Sequence, residues 1–513
     1  MKYPIGIQDF QKLREEGFVY VDKTALVYDL AQQGGYYFLG RPRRFGKSLL
    51  LSTMHAYFSG KRELFGGLAI ERLEREWRRH PVLHLDLNRD KYETPENLDQ
   101  VLNKSLSDWE ALYGKNPEEV TLALRFEGII QRACEQTGER VVILVDEYDK
   151  PLLSAIGKPA TQEAYRDTLK ALFGKLKMQD RFIRFAFLTG VTKFSHVSVF
   201  SDLNNLNDIS MDAAYVGICG ISGEELHAYF EEAIKELAAA NGMEYGETCE
   251  RLRVRYDGYH FRQDCEGVYN PFSLLNTFMK REFRDYWFET GTPSFLVRLL
   301  QDNHYNLANL QGKVVAAANI SSVDTMVTDP IPVIYQSGYL TIKDYDEEFG
   351  IYSLDFPNEE VERGFINYLV PFYTPVGSEE RDGLLRTFTL AIRQGQPGKF
   401  LADLQVMLSD NDYRVVGKME LYFQNVLYVV FKLLGFYVEV ERATSRGRMD
   451  VTMCTPDYVY VMELKLDGSA DEALRQIKER QYDLPFRSDP RKVFLVGVNF
   501  SSATRNIQEW VVE

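Results

Sequence analysis

Short apolar runs recur through the first 210 residues and alternate with amphipathic stretches. Four of these runs are typical of strands: YYFLG (36–40), PVLHLDL (81–87), VVILVDE (141–147) and IRFAFLTG (183–190). Strands that are buried on both faces of a sheet have nearly continuous apolar sequences. Their alternation with helical segments predicts an α/β region built on a mostly parallel sheet.

The pattern changes near residue 220. Apolar residues at helical spacing predict helices over 223–240, 271–283 and 294–301. A polar stretch at 371–382 marks a second boundary, and it is followed by a predicted helix over 415–434 and a β-rich end. The sequence therefore predicts three domains, at 1–215, 216–375 and 376–513.

Length, composition and charge limit the class of protein. A chain of 513 residues is too long for one core, and 45% hydrophobic with 26% charged residues is typical of globular proteins. No apolar run reaches the roughly 20 residues that span a bilayer, and no secretory signal is visible, so no membrane partner is expected. Five cysteines without a CxxC pair argue against a zinc or disulfide framework and favour a cytoplasmic protein. Because the net charge is −15, contact with nucleic acid requires a local basic patch.

A candidate phosphate-binding loop follows the first strand. The segment RPRRFGKSLL (41–50) places Gly46, Lys47 and Ser48 at the start of a helical stretch. Backbone N–H groups of such a loop and the helix N-terminus bind phosphate oxygens. Lys47 is expected to reach the β and γ phosphates of ATP, and the Ser48 hydroxyl to ligate Mg²⁺. The match is imperfect, because the motif GxxxxGK[ST] requires glycine where this chain has Arg41.

Polar residues end two of the other predicted strands. Asp146 and Glu147 follow VVILV, and Thr189 ends FAFLT. Ligands of α/β sheets bind at the carboxyl ends of strands. We therefore expect Asp146 to hold Mg²⁺, Glu147 to activate the attacking water and Thr189 to sense the γ-phosphate. A solvated strand end is the alternative interpretation, but the Gly-Lys-Ser sequence upstream favours nucleotide hydrolysis.

A second constellation lies in GRMDVTMCTPDYVYVMELK (447–465). Both halves alternate, and the turn at 455–458 predicts a hairpin in which paired residue numbers sum to 913. In that register Asp450 lies opposite Glu463, and Lys465 points to the same face. Two adjacent carboxylates repel unless they share a cation, and oxygen ligands favour Mg²⁺ or Mn²⁺. Lys465 is then placed to orient the attacking water. A cross-strand salt bridge without catalysis is the alternative.

The N-terminal motifs resemble those of the bacterial AAA-ATPase-like family of P-loop proteins. The resemblance rests on YVDKT (20–24), RPRRFGKS (41–48), VDEYDKPL (145–152) and TGVTKFS (189–195), and it continues through the middle region. It implies that Arg41 is usual in this loop, that residues 1–30 flank the adenine and that the middle domain is a helical or winged-helix lid. The loop residues expected to contact the nucleotide are Arg43, Arg44, Phe45, Gly46, Lys47, Ser48 and Leu49.

The C-terminal pattern D-x(12)-E-x-K is similar to that of the PD-(D/E)XK nuclease superfamily. The resemblance assigns Glu420 to the first acidic position and Asp450, Glu463 and Lys465 to the next three. Gln476 falls at the helical glutamine that often follows. The implied fold is a restriction-endonuclease-like α/β domain, and the implied metal ligands are Asp450 and Glu463.

Three functions remain open on the sequence alone. The first is an ATP-coupled nuclease that acts on DNA in preference to RNA, with Arg442, Arg446 and Arg448 available for the phosphate backbone. The second is a signalling or scaffold ATPase whose nuclease fold binds without cleaving. The third is a nucleotide-dependent switch that forms homo-oligomers. Every acidic position of the nuclease motif is occupied, which favours the first function. The negative net charge of the chain favours the other two.

Overall fold

The computed structural model describes most of the chain, namely residues 1–194, 199–200, 203, 205–288, 294–320, 329–373, 378–409, 419–435, 439–445 and 448–513. These residues form two compact units. The first comprises Met1–Leu299 with Gly312–Val361, and the second comprises Leu300–Gln311 with Glu362–Glu513. The predicted boundary after residue 215 falls inside the first unit, and the one after residue 375 falls outside the described residues. The three-domain division therefore stays a prediction.

The first unit begins with an α/β region. In chain order its elements are α1 (Phe10–Glu15), α2 (Thr24–Gln33), β1 (Gly35–Gly40), α3 (Lys47–Phe58), α4 (Ala69–Leu73), β2 (Val82–Asp86), α5 (Pro95–Tyr113), α6 (Leu122–Thr137), β3 (Val141–Asp146), α7 (Lys150–Ser154), α8 (Pro159–Met178), β4 (Ile183–Gly190) and β5 (Leu206–Asp208). The strands described here form one sheet in the order β2-β3-β4-β1-β5, and every pairing is parallel. The predicted α/β fold with its parallel sheet is confirmed.

The order of the strands brings three of the connecting loops together. β4 lies between β1 and β3, and the three strands are parallel. The loops that follow them therefore meet at one edge of the sheet. β3 is buried along its whole length, as its uninterrupted apolar sequence predicts. The four predicted strands are confirmed, whereas the short edge strand β5 was not predicted because three residues carry too little pattern.

The middle of the chain contains more strand than its sequence pattern indicated. Helices α9 (Gly223–Asn241), α10 (Tyr245–Tyr256), α11 (Pro271–Lys280) and α12 (Ser294–Asp302) are followed by β6 (Lys313–Ala316), α13 (Ala317–Ile320), α14 (Ile331–Gln336), β7 (Thr341–Asp346) and β8 (Ile351–Asp355). Within the described part, the three strands form an antiparallel sheet in the order β6-β8-β7. Helices α13 and α14 lie between β6 and the β7–β8 hairpin, and the winged-helix fold stays a prediction.

The second unit is an α/β/α sandwich. Its elements are most of α15 (Glu359–Tyr373), then α16 (Ser378–Arg393), α17 (Pro397–Ser409), α18 (Met419–Gly435), β9 (Glu439–Ser445), β10 (Arg448–Cys454), β11 (Tyr458–Leu466), α19 (Ala470–Arg480), β12 (Lys492–Ser501) and β13 (Asn506–Val512). The described strands follow the order β13-β12-β11-β10-β9, with β11 and β12 parallel. α16, α17 and α18 pack on one face and α19 on the other.

None of the helices in the described ranges has the length and apolar composition that a bilayer crossing requires.

Candidate functional site

The loop between β1 and α3 forms one wall of a cavity of about 350 Å³. Gly46 precedes α3 with φ +97°, a left-handed conformation that L side chains rarely adopt, so glycine is required there. The N-terminus of α3 therefore opens directly onto the cavity. Ser48 and Leu49, in the first turn of α3, line the same wall. A helix N-terminus with unpaired N–H groups attracts an anion.

Lys47 is buried inside this loop, 5% exposed. Its Nζ donates to the carbonyl oxygens of Arg41 at 2.8 Å and Pro42 at 3.0 Å. The ammonium group is therefore held at the cavity wall, where it also lowers the pKa of Glu147 against a larger upward effect of burial. A fixed cation beside a helix N-terminus suits the phosphate groups of a nucleotide.

Arg41 stands where the motif has glycine, and its side chain leaves the phosphate-binding cavity open. Its side chain turns away from the loop, where Nη1 donates to the carbonyls of Gly40 and Ser210, each at 2.8 Å. The guanidinium lies over the ring of Phe261, 3.9 Å from its centroid. Burial lowers the pKa of Arg41 to about 10. Arg41 is thus a structural cation that ties the strand end to the segment after β5.

The two following arginines face the cavity. Arg43 and Arg44 both line it, and the Arg44 guanidinium lies 4.5 Å from the ring centroid of Phe272. Burial, and then the neighbouring Arg43, lower the pKa of Arg44, while Glu147 raises it. Two adjacent cations gain from a bound anion. Phe45, by contrast, is 1% exposed, packs edge-on against Tyr259 and does not line this cavity.

The acids after β3 have different environments. Asp146 is 6% exposed, and its Oδ1 accepts from the Thr189 hydroxyl at 2.6 Å. Glu147 lines the cavity and has a φ of +50°. Burial raises the pKa of its carboxyl group, which makes it a stronger base. The structure therefore places Thr189 beside Asp146, while Glu147 reaches the cavity.

Asp149 is the remaining acid of this cluster, and it faces away from the cavity. Its carboxylate accepts from the backbone N–H groups of Val191 at 3.0 Å and Thr192 at 2.6 Å, and from the Thr192 hydroxyl at 2.8 Å. The side chain thus stabilises the turn after β4. Of the two acids that flank Tyr148, Glu147 is the one positioned to reach a ligand.

Several cavity residues come from distant parts of the chain and were not singled out from the sequence. They are Asn88 after β2, Lys150, Trp287, Ser337 and Tyr339, together with residues 4–8 and 271–275 at its rim. Residues 4–8 belong to the N-terminal segment that the family resemblance placed beside the adenine. A second, apolar cavity of about 100 Å³ shares Gly46 and Leu49 with the first and is lined by residues 19–21. The loop thus borders one polar and one apolar compartment.

The second candidate site lies on the hairpin β10–β11. Asp450 pairs with Glu463, and Cys454 with Val459, so the connecting loop has four residues and the predicted register is confirmed. Thr455 N donates to the Tyr458 carbonyl at 2.8 Å, which closes the turn. Tyr460, Met462 and Leu464 pack in the main core of the unit, as alternation predicts, while Val459 and Val461 face α19. Glu463 and Lys465 share that α19 face.

Glu463 is a completely buried carboxylate. Its side chain has 0% exposure, and Oε1 accepts from Lys465 Nζ at 3.0 Å. Its other oxygen, Oε2, has no hydrogen-bond partner among the side chains that the structure describes. Burying a carboxylate oxygen without a partner costs several kcal/mol unless a cation compensates it. The donor set therefore fits a divalent metal at this position.

Lys465 connects the carboxylate with α19. Its Nζ donates to Gln476 Oε1 at 2.5 Å, and the buried Gln476 Nε2 has no partner. α19 approaches closely because Gly497, opposite Glu463 on β12, has no side chain. The hairpin and the helix thus bring Glu463, Lys465 and Gln476 together, as predicted.

Other predicted residues of this site are described only in part. The backbone of Glu420 lies in α18 and that of Asp450 in β10, but their side chains lie outside the described residues, as do those of Arg442 and Arg448. Arg446 lies outside them entirely. Among the side chains that are described, no cluster of three His, Cys, Asp or Glu residues could hold a metal ion. The proposed ligand Asp450 was not part of that search.

Comparisons with known proteins match both regions. A family model described as "Predicted AAA-ATPase" matches residues 4–200, and one of the PD-(D/E)XK nuclease superfamily matches residues 418–510. A protein of Azotobacter chroococcum mcd 1, described as "Uncharacterized protein in vnfD 5'region", is 37% identical over 522 residues and covers 100% of this chain and 99% of its own. The chain belongs to the same family as this protein, and its residues 4–200 match a predicted AAA-ATPase-like domain. This AAA-ATPase-like chain carries a PD-(D/E)XK nuclease superfamily domain at its C-terminus, so both resemblances are confirmed.

A solved structure, "Structure of the Aeropyrum Pernix ORC2 protein (ADPNP-ADP complexes)", covers 65% of the AAA-ATPase-like chain and 88% of its own chain, at 11% identity and a TM-score of 0.25. A likeness of this degree adds nothing to the assignment. The two family matches enclose the candidate residues of both sites, from Arg43 to Thr189 and from Glu420 to Gln476.

Proposed function

We propose that this protein hydrolyses ATP at the β1–α3 loop and cleaves nucleic acid, namely DNA, with a Mg²⁺- or Mn²⁺-dependent site on the β10–β11 hairpin. The observation that carries the nuclease proposal is the buried Glu463. Glu463 pairs with Asp450 across the hairpin. Its Oε2 has no hydrogen-bond partner among the described residues, and its Oε1 accepts from Lys465 Nζ. A binding module has no need of such a group, because an uncompensated buried carboxylate destabilises the fold.

At the nucleotide site, the chain's own residues have distinct tasks. Lys47, with Arg43 and Arg44, neutralises the phosphates, while Ser48 and Asp146 would hold Mg²⁺, which supplies charge to the leaving phosphate. Thr189 fixes the orientation of Asp146 through its 2.6 Å hydrogen bond. Glu147 takes the proton of the attacking water. Its raised pKa suits a general base, because the best base titrates near the operating pH.

At the hairpin, Asp450, Glu463 and the Leu464 carbonyl would hold the metal, which supplies a Lewis acid and lowers the pKa of water. Lys465 is held between Glu463 Oε1 and Gln476 Oε1, so its ammonium group is fixed beside the metal ligands and orients the nucleophile. Glu420 on α18 completes the acidic set. The three arginines at 442, 446 and 448 are proposed to contact the phosphate backbone.

One observation favours a second function. Lys465 and Glu463 form an ion pair at 3.0 Å. A purely structural salt bridge would have the same geometry. In that case the protein is a signalling or scaffold ATPase whose nuclease fold binds nucleic acid or another protein without cleaving it. Assembly into a homo-oligomer is compatible with both functions.

The two functions are separated by incubating the full-length protein with plasmid, linear double-stranded and single-stranded DNA, with and without Mg²⁺ and ATP. The nuclease proposal expects cleavage that requires the metal and disappears in Glu463→Gln, which keeps the shape but loses the charge. Glu479→Gln, an exposed acid on α19, is the matched control and should cleave as the parent does. A parent protein that cuts no substrate under any metal or nucleotide condition favours the scaffold function.

A further inference from the structure

A buried carboxyl group lies behind the nucleotide cavity and has no part in the proposed chemistry. Glu360 stands at the second position of α15, within the first compact unit, and is 0% exposed. Acids are almost never fully buried unless they are paired. Among the described residues no cation forms an ion pair with this one, so its retention in the core needs an explanation.

The hydrogen bonds of Glu360 all fall on one oxygen. Oε1 accepts from the Ser273 hydroxyl at 3.0 Å and from the backbone N–H of Trp287 at 2.8 Å. Oε2 is buried without a partner. The carboxyl group therefore joins α15 to two segments more than 70 residues earlier in the sequence, one in α11 and the other just after it.

Both segments belong to walls of the nucleotide cavity. The Trp287 indole lines the cavity, and its Nε1 donates to the carbonyl of Arg43 in the phosphate loop at 2.9 Å. Ser273 lies in α11 between Phe272 and Leu275, which also line the cavity. One hydrogen bond thus links Glu360 to Trp287, which holds the phosphate loop, and another links it to Ser273 in α11.

The charges around Glu360 make it sensitive to pH near neutrality. The pKa of Glu360 is raised to about 8, because burial, with a smaller contribution from Asp285, outweighs the lowering by the Trp287 N–H, Ser273 and Arg255. Tyr256 and Tyr259 also face the carboxyl group and have raised pKa values because they are buried. Hydrogen bonds accepted by a carboxylate are roughly twice as strong as those accepted by its neutral form. Ionisation therefore tightens the hold on Trp287 and Ser273.

We propose that Glu360 is a positioning residue for ATP binding, which fixes the phosphate loop through Trp287 and the facing wall through Ser273. The inference rests on the proposed nucleotide site. Loss of the Trp287–Arg43 hydrogen bond should weaken ATP binding about three- to tenfold, the equivalent of one net hydrogen bond. Because Glu360 acts through Trp287, the two substitutions should not be additive.

The test measures the dissociation constant of ATP with Mg²⁺ by calorimetry on the full-length protein between pH 6.5 and 9.5. Wild type should bind more tightly as the pH rises through about 8, whereas Glu360→Gln should lack that step. Trp287→Phe should weaken binding three- to tenfold, and the double variant should lose less than the product of the two single losses. Glu348→Gln, an exposed acid after β7, should keep the wild-type profile.

The outcomes separate the two proposals. If wild type binds no ATP, the nucleotide site itself fails and the positioning role fails with it. If wild type binds ATP and Glu360→Gln keeps the pH step, or the double variant is fully additive, only the positioning role is overturned. Should Glu360→Gln not fold, Ser273→Ala, which removes one donor and keeps the carboxyl group, must reduce the size of the pH step.

Discussion

Gly497 offers a quantitative test of the nuclease geometry. A Cβ atom at this position would lie 2.2 Å from the Ala470 carbonyl oxygen and 2.8 Å from Leu474 N, both in the backbone of α19. Ordinary van der Waals contact begins at 3.4 Å. In Gly497→Ala the helix must therefore move away from β12 by about 1 Å, and Gln476 moves with it. Overpacking of this kind costs about 1–3 kcal/mol.

The consequences for stability and activity follow from that shift. A loss of about 1–3 kcal/mol corresponds to roughly 2–12 °C in the melting transition of a domain of this size. A misplacement of about 1 Å reduces catalysis roughly 100-fold. Because Gly497 lies in the second unit, ATP hydrolysis should be unchanged. Calorimetry and a plasmid cleavage assay on the same preparation measure both effects.

Gly398→Ala is the matched control. Its Cβ would meet only Trp510 Nε1 at 3.9 Å, an ordinary contact, and the residue lies in α17. Alanine in a helix is favoured over glycine by about 0.5–1 kcal/mol, so this variant should be slightly stabilised and should cleave normally. The reasoning is refuted if Gly497→Ala melts and cleaves as the parent does, or if both alanine variants change in the same direction.

Three further predictions concern the first unit. Lys47→Ala should abolish ATP hydrolysis while the protein remains folded, whereas Lys104→Ala, whose side chain is 71% exposed, should hydrolyse normally in a phosphate-release assay. Glu147→Gln should bind ATP but hydrolyse it roughly 10²–10⁴-fold more slowly; normal hydrolysis by Glu147→Gln together with its loss in Asp149→Asn would show that the base is not Glu147. Glu360 has a pKa raised from 4.5 to about 8, so its stabilising contribution is complete below pH 4.5 and is lost as the pH rises through 8. Urea unfolding should therefore show wild type losing up to roughly 5 kcal/mol relative to Glu360→Gln between these limits, and parallel stability curves would contradict this.

Local sequence was sufficient for the elements and for the hairpin. The four strands of the α/β region are long apolar runs, and their limits agree with the structure to within a residue or two. The Asp450–Glu463 pairing followed from an even-numbered loop centred between residues 456 and 457, and Pro456 favoured four loop residues over two. Helix α9 and strand β12 were recognised in the same way.

The rest of the candidate site depends on contacts between distant residues. Nothing in the sequence shows that Arg41 turns away from the loop towards Ser210, or that Asp149 is used by the turn at Thr192. Trp287 and Glu360 reach the phosphate loop only through tertiary packing, so no local pattern identifies them. The strands β6, β7 and β8 are short, so local sequence did not predict the sheet that they form.

The central claim is that one chain contains two chemically independent sites, and it is tested by measuring both activities in a single variant. Lys465→Ala, assayed for Mg²⁺-dependent plasmid cleavage and for ATP hydrolysis, should lose the first and keep the second. Lys478→Ala, whose lysine lies on α19 and forms a half-exposed ion pair with Glu513, should keep both. If Lys465→Ala cleaves DNA at the parental rate, the Glu463–Lys465 pair is a structural salt bridge and the claim of a nuclease site is contradicted.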